Sequence, residues 1–84
     1  MDVEETKARI KQGIARITGI APEEIHDTAS YQTDLGLDSL SLLELVVDLE
    51  YAFKITVPED RFPDLQTVED TARFVLERLA MPQA

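Results

Sequence analysis

Apolar residues recur along this chain with the spacing of amphipathic helices. Near the start, apolar side chains at i, i+7, i+11 and i+14 predict a first helix from about Asp2 to Thr18. Near the end, apolar side chains at i, i+4, i+7, i+8 and i+11 predict a last helix, which Thr67 opens with a Ser/Thr-x-x-acid start signal. The apolar positions are Val3, Ile10, Ile14 and Ile17 in the first helix and Val68, Ala72, Val75, Leu76 and Leu79 in the last.

A second helix is predicted from about Ser39 to Phe53, and it is apolar over more than half of its circumference. One line of apolar residues is predicted to be core, a second line runs beside it, and acids fill the remaining gap. A helix of this kind either lies centrally or presents apolar surface to partners. The core line is Leu42, Leu45, Val46, Leu49 and Phe53; the second line is Leu40, Leu43 and Val47; the acids are Glu44, Asp48 and Glu50.

The connections between these helices complete the predicted fold. The first runs from Ile20 to about Asp38, with one possible helical turn at residues 22–25 and scattered apolar residues that predict a loop pinned to the core. After the second helix, a short helix is predicted to begin at Pro58, and Pro63 is expected to stop it within about a turn. The pattern predicts an all-α four-helix bundle, with three longer helices, one short helix and a long loop between helices 1 and 2.

Composition narrows the classes of function. The 84 residues allow one domain, residues 1–84, with a frayed end at residues 81–84. There is no cysteine, which excludes disulfides and thiolate chemistry. Seventeen acids against eight bases give a net charge of −9, which repels nucleic acid and anionic lipid and attracts basic proteins. An acidic start with no apolar run indicates neither a signal peptide nor membrane insertion, so the cytoplasm is the expected compartment.

Candidate chemistry lies where the long loop meets the second helix. Gly36 permits a sharp turn, and Asp38 and Ser39 are both favoured N-cap residues. If Asp38 caps the helix, Ser39 becomes its first residue, with an exposed hydroxyl beside the positive end of the helix dipole. A phosphate attached there is stabilised by free backbone N–H groups and by the dipole. Taken alone, the dipeptide is more often a plain helix start.

The sequence around this dipeptide resembles the signature of acyl carrier proteins, in which an Asp-Ser-Leu triplet opens the second helix after a long loop. Here Leu37-Asp38-Ser39-Leu40 carries the triplet, and Leu43-Glu44-Leu45-Val46 continues it. Residues 49–58 and 67–70 resemble the end of the family's second helix and the start of its last helix. The resemblance spans nearly the whole chain and implies a carrier that performs no catalysis.

The resemblance also implies roles for particular residues. Ser39 is expected to receive 4'-phosphopantetheine from coenzyme A through a phosphopantetheinyl transferase, Asp38 to position that transferase and its Mg²⁺, and Leu40 to contact the arm. Partners are expected to be acyltransferases, synthases or ligases with basic patches, and the carrier is expected to be a monomer with no metal site of its own. Expected partner contacts are Glu44, Val47 and Asp48, and the expected lining of an acyl cleft is Leu45, Val46 and Leu49.

The chain departs from the pattern of fatty-acid carriers at several positions. Ser41, Tyr51 and Ala52 stand where acids are common, and Pro63 is expected to shorten the third helix. The partner face is therefore expected to be less acidic and more apolar. These departures disfavour a role in housekeeping fatty-acid synthesis and leave room for a polyketide, specialised-lipid or other dedicated pathway.

Other classes of function explain the sequence less completely than a carrier of acyl groups. An aminoacyl carrier shares the Asp-Ser context. A peptidyl carrier usually has a Gly-Gly pair two residues before the serine, and Leu37-Asp38 here argues against that class. An acidic interaction module without a prosthetic group explains the charge but not an exposed serine after a pinned loop. An enzyme is disfavoured because His26 lies in the loop with no triad spacing. Asp27, Asp34 and Asp38 lack the spacing of a calcium loop.

Overall fold

The computed structural model describes residues 2–80, and in this part of the chain the regular elements are all helical. The three α-helices are α1 (Val3–Thr18), α2 (Ser39–Phe53) and α3 (Val68–Ala80). The connections contain short 3₁₀ helices at Pro22–Glu24 and Glu59–Asp64. The predicted all-α fold with three longer helices is therefore confirmed, and the single turn expected after α1 is the first 3₁₀ helix. The predicted fraying of residues 81–84 lies outside the described residues.

Local side-chain chemistry sets the ends of the helices. The carboxylate of Asp2 accepts the Glu5 N–H at 2.8 Å and caps the start of α1. Gly19, with φ of 82°, ends α1 in the left-handed region that glycine enters without strain. The hydroxyl of Thr67 accepts the Asp70 N–H at 3.1 Å at the start of α3, as its start signal predicted.

The core lies between the three α-helices, each of which contributes one buried face. Burial of an aliphatic side chain stabilises a fold by about 1.5–3 kcal/mol, so these contacts dominate a chain without disulfides. Val3 and Leu79, which the periodicity placed on the buried stripes, are 44% and 43% exposed because they lie toward the helix ends. The central buried positions are Ile10 and Ile14 of α1, Leu45, Val46 and Leu49 of α2, and Val68, Ala72 and Val75 of α3.

The long loop is pinned to the helices, as its scattered apolar residues predicted. Ile25, Tyr31 and Leu37 are buried in the common core. The carboxylate of Asp27 pairs with Lys7 at 2.9 Å and with Lys11 at 2.7 Å, both from α1. The backbone of this loop is thereby held against α1 by charge and against the interior by apolar packing.

The second 3₁₀ helix differs from the prediction that Pro63 would stop it. The helix begins at Glu59, after Pro58, and continues through Pro63 to Asp64. Its turns are closed by hydrogen bonds from the Arg61 N–H to the Pro58 C=O and from the Leu65 N–H to the Phe62 C=O, both at 3.0 Å. Neither bond needs an N–H from residue 63, so the proline is tolerated inside this short helix.

Helices α1 and α2 approach each other closely at Gly13. A Cβ atom on Gly13 would lie 2.5 Å from the Oδ2 atom of Asp48. The same carboxylate pairs with Arg9 at 3.3 Å and with Arg16 at 2.5 Å. The glycine, which weakens the helix by about 1 kcal/mol relative to alanine, therefore makes room for an ion-paired contact between the two helices.

This contact predicts that the effect of Gly13→Ala depends on Asp48. In an Asp48→Ala background, Gly13→Ala should raise the free energy of unfolding by about 1 kcal/mol, the difference in helix propensity. With Asp48 present the gain should be smaller, because the added methyl group displaces the carboxylate from Arg9 and Arg16. Urea unfolding of the four proteins of this double-mutant cycle measures the difference. Equal gains in both backgrounds would contradict the contact.

Candidate functional site

The start of α2 exposes the hydroxyl-bearing residue that the sequence singled out. Asp38 is the N-cap, with its backbone in an extended conformation and its Oδ1 atom accepting the Ser41 N–H at 2.8 Å. Ser39 is the first residue of α2, and its side chain is exposed. Because Asp38 supplies the capping oxygen, the hydroxyl of Ser39 is not needed to cap the helix.

The segment before the cap determines which way the helix start faces. Gly36 has φ of 71°, a conformation that L side chains rarely adopt, and it makes the turn into α2. Leu37, 3% exposed, follows it into the core, and its N–H donates to the Tyr31 C=O at 2.8 Å. With Leu37 anchored inside, the next residues, Asp38 and Ser39, lie at the surface.

The electrostatics of this helix start suit an attached phosphate. The backbone N–H of Ser41, followed by its hydroxyl, holds the pKa of Asp38 below its ordinary value. The positive end of a helix dipole favours negative charge within its first turn. A phosphodiester on the Ser39 oxygen could therefore be solvated on one side and stabilised by the helix on the other. The residues present fit a covalently attached phosphopantetheine.

An exposed apolar stripe follows Ser39 along α2. Leu40, Leu43, Val47 and Tyr51 are 66%, 46%, 56% and 86% exposed, respectively, and they recur at i, i+3, i+7 and i+11. Glu44 is exposed beside this stripe. The second apolar line of the sequence pattern is thus a surface, and it starts next to the candidate attachment residue.

The sequence places all three acids of α2 on a free surface, but two of them contact other parts of the chain. Asp48 was expected to meet basic residues of partners, but it is partly buried and already paired with Arg9 and Arg16 of α1. Glu50 accepts the Val57 N–H at 2.8 Å and so holds the segment that follows α2. The periodicity of α2 alone could not reveal these partners, because they come from other elements.

The residues expected to line an acyl cleft lie in the closed core. Leu45, Val46 and Leu49 are only 1–2% exposed and pack against the other helices. Leu42, which the sequence assigned to the core, is only half-buried. It lies one helical turn from Ser39, so the two side chains are neighbours on the helix surface.

An open groove that Leu42 lines was not predicted from the sequence. It has a volume of about 440 Å³ and lies between the long loop, α2 and the second 3₁₀ helix. No local pattern indicated it, because the loop and the 3₁₀ helix that form its sides are distant in sequence. Its lining residues are Ser30, Tyr31, Gln32, Leu42, Phe62, Pro63, Leu65 and Gln66.

Three further observations concern the described residues. His26 is exposed in the long loop, apart from the candidate site. Within residues 2–80, no three or more His, Cys, Asp or Glu side chains gather where they could hold a metal ion. None of the helices described is long and apolar enough to span a membrane.

Comparison with known proteins finds a matching family profile and similar proteins in several bacteria. Residues 8–75 match the profile of the family described as "Phosphopantetheine attachment site". The chain is 34% identical to an acyl carrier protein of Zymomonas mobilis, over 90% of this chain and 97% of that protein. It is 36% identical to an acyl carrier protein of Rubrobacter xylanophilus, over 92% and 95%, and 38% identical to one of Phenylobacterium zucineum, over 84% and 90%.

The cap at Asp38 predicts a pH dependence of stability. Because the folded chain holds this pKa below its ordinary value, the cap contributes stability at neutral pH that is lost as the pH falls through the depressed value. Asp38→Asn keeps an N-cap acceptor but cannot ionise, so its stability should fall less in that acidic range. Urea unfolding from neutral to acidic pH compares the two proteins, and parallel curves would contradict the prediction.

Proposed function

Because this chain belongs to the acyl carrier protein family, we propose that Ser39 is the residue that bears its phosphopantetheine. Acyl carrier proteins carry this group and are not catalysts, so the chain is a carrier and not an enzyme. We propose further that residues 1–84 act as one monomeric domain that delivers acyl groups between enzymes. The proposed pathways are fatty-acid, polyketide or specialised-lipid synthesis, and the proposed compartment is the cytoplasm.

The observation that carries this proposal is the exposed hydroxyl at the first position of α2. Ser39 follows a capping aspartate and an anchored leucine, so it is held at the surface of a rigid helix and not on a free loop. A group attached to a rigid helix has a fixed point of attachment, which a flexible loop would not provide. When bound, phosphopantetheine supplies a terminal thiol, which this cysteine-free chain lacks, and carries the acyl group as a thioester.

The residues around Ser39 have separable roles in this proposal. Asp38 holds the helix start in place through the Ser41 N–H and presents its remaining oxygen to the transferase and its Mg²⁺. Leu40, 66% exposed, contacts the attached arm or the enzyme that installs it. Neither residue takes part in a chemical step, since both act by orienting the hydroxyl and its partner.

The partner surface in this proposal is the exposed stripe of α2. Val47 supplies apolar contact, and Glu44, exposed beside it, attracts basic residues of transferases, synthases or ligases. Rim charges of this kind mainly raise the rate of encounter and leave complexes weak enough to exchange. We assign Asp48 a smaller part in partner binding, because Arg9 and Arg16 already neutralise its charge.

Modification at Ser39 gives the direct test. Incubation of the purified chain with coenzyme A, Mg²⁺ and a promiscuous phosphopantetheinyl transferase should add the mass of one phosphopantetheine. Ser39→Ala should abolish the addition, because no oxygen remains to accept the phosphate. Ser41→Ala, which changes a serine within the same helical turn, is the matched control and should be modified like the parent chain. Addition to Ser39→Ala, or none to the parent, would overturn the proposal.

Charge reversal at Glu44 tests the partner surface. Glu44→Lys should slow modification of Ser39 at low salt, because it removes attraction to a basic enzyme. The difference should shrink as salt is added, since screening weakens contacts between exposed charges. Glu77→Lys, an exposed position on α3, changes the net charge equally and serves as the control. Equal slowing by both variants would assign the effect to net charge and not to this surface.

A further inference from the structure

One wall of the groove beside Ser39 contains a buried tyrosine that also reaches into the core. Tyr31 belongs to the groove lining, yet it is only 1% exposed. Its hydroxyl lies 2.6 Å from the Oγ1 atom of Thr71, which is fully buried on α3. The side chain of Tyr31 therefore extends from the groove to the buried face of the last helix.

The direction of this hydrogen bond follows from the neighbouring contact. The Thr71 hydroxyl has a single proton, and it donates to the Thr67 C=O at 2.8 Å. Tyr31 must then be the donor to Thr71. Burial, opposed in part by the bond to Thr71, raises the pKa of Tyr31 above its ordinary value, so the phenol keeps this proton at neutral pH. We call the hydrogen-bonded pair of Tyr31 and Thr71 the tyrosine latch.

The backbone of Tyr31 is held as firmly as its hydroxyl. Its N–H donates to the Gln66 C=O at 2.9 Å, and its C=O accepts the Leu37 N–H at 2.8 Å. A chain that passed from the groove into the core would have to move a residue that is held by one side-chain and two backbone hydrogen bonds. It would also leave the phenol proton without its partner in an apolar interior, where an unpaired polar group is costly.

Resting on the proposed function, we propose that the tyrosine latch closes the inner end of the groove and restricts this carrier to short acyl groups. A short group can lie on Leu42 and Phe62 among polar rim residues. A long alkyl chain is fully removed from water only by entering the core. Leu45 and Val75, which share the buried cluster with Tyr31, are at most 1% exposed. In this proposal, Tyr31 and Thr71 determine specificity for acyl length.

The test attaches alkyl chains directly to position 39. Since the sequence has no cysteine, Ser39→Cys provides one labelling site in the full chain. Methyl and decyl thiosulfonates form mixed disulfides there, and backbone amide NMR spectra compare the two chains. Amides of Leu42 and Phe62 report on the groove, and amides of Leu45 and Val75 report on the core.

In the Ser39→Cys parent, the decyl chain should shift groove amides relative to methyl and leave core amides in place. Adding Tyr31→Phe removes the latch but keeps the ring, and the fraction of decyl chain in the core should rise about two- to tenfold, as expected for the loss of one hydrogen bond. Tyr51→Phe makes the same chemical change at a residue that is 86% exposed, so it should behave like the parent.

A second variant keeps the test decisive if Tyr31→Phe alone perturbs folding. Tyr31→Phe combined with Thr71→Val replaces both hydroxyls by apolar groups of similar shape, a change that is often nearly neutral for stability. It should admit the decyl chain as well. The proposal is overturned if the decyl chain shifts core amides in the parent as strongly as in the latch variants. It is equally overturned if neither latch variant admits the chain.

The experiments distinguish a failure of the proposed function from a failure of the proposed length restriction. If a transferase does not modify Ser39 in the native chain, the carrier assignment falls, while the disulfide series still shows whether the latch closes the groove. If Ser39 is modified and the latch variants behave like the parent, the carrier assignment stands and the length restriction falls.

Discussion

Burial of one face of α2 is the constraint on which the other features of this protein depend. Leu45, Val46 and Leu49 contact the surrounding elements at nearly zero exposure, and no disulfide assists them. A small domain has a thin core, so the loss of one such contact is a large part of its total stability. With this face fixed, the opposite face of α2 must be exposed, and Ser39 and the apolar stripe lie at the surface.

Ion pairs between α1 and its neighbours help to organise the fold. All four basic residues of α1 pair with Asp27 of the long loop or Asp48 of α2. Single exposed ion pairs stabilise little, but shared carboxylates hold two cations each and orient the elements that carry them. The four basic residues of α1 are thus held in ion pairs within the fold, whereas Glu44 remains exposed beside the apolar stripe.

The groove and the latch connect this packing to the proposed carrier function. Leu42 is half-buried and lines the groove together with Ser30, Tyr31 and Gln32 of the long loop. Tyr31 is tied to the segment before α3 through Gln66 and to α3 itself through Thr71. The loop between the first two helices therefore forms one side of the groove and is held in place by these contacts.

Features that depend on neighbours along the chain could be predicted from the sequence. The three long helices, the cap at Asp38, the exposed first position at Ser39 and the pinned loop all follow from helical periodicity and turn chemistry. Tertiary structure alone decided the ion pairs of Asp48, the half-burial of Leu42, the passage of the short helix through Pro63, and the groove. Each of these depends on side chains brought together from distant segments, and periodicity within one segment carries no information about what packs against it.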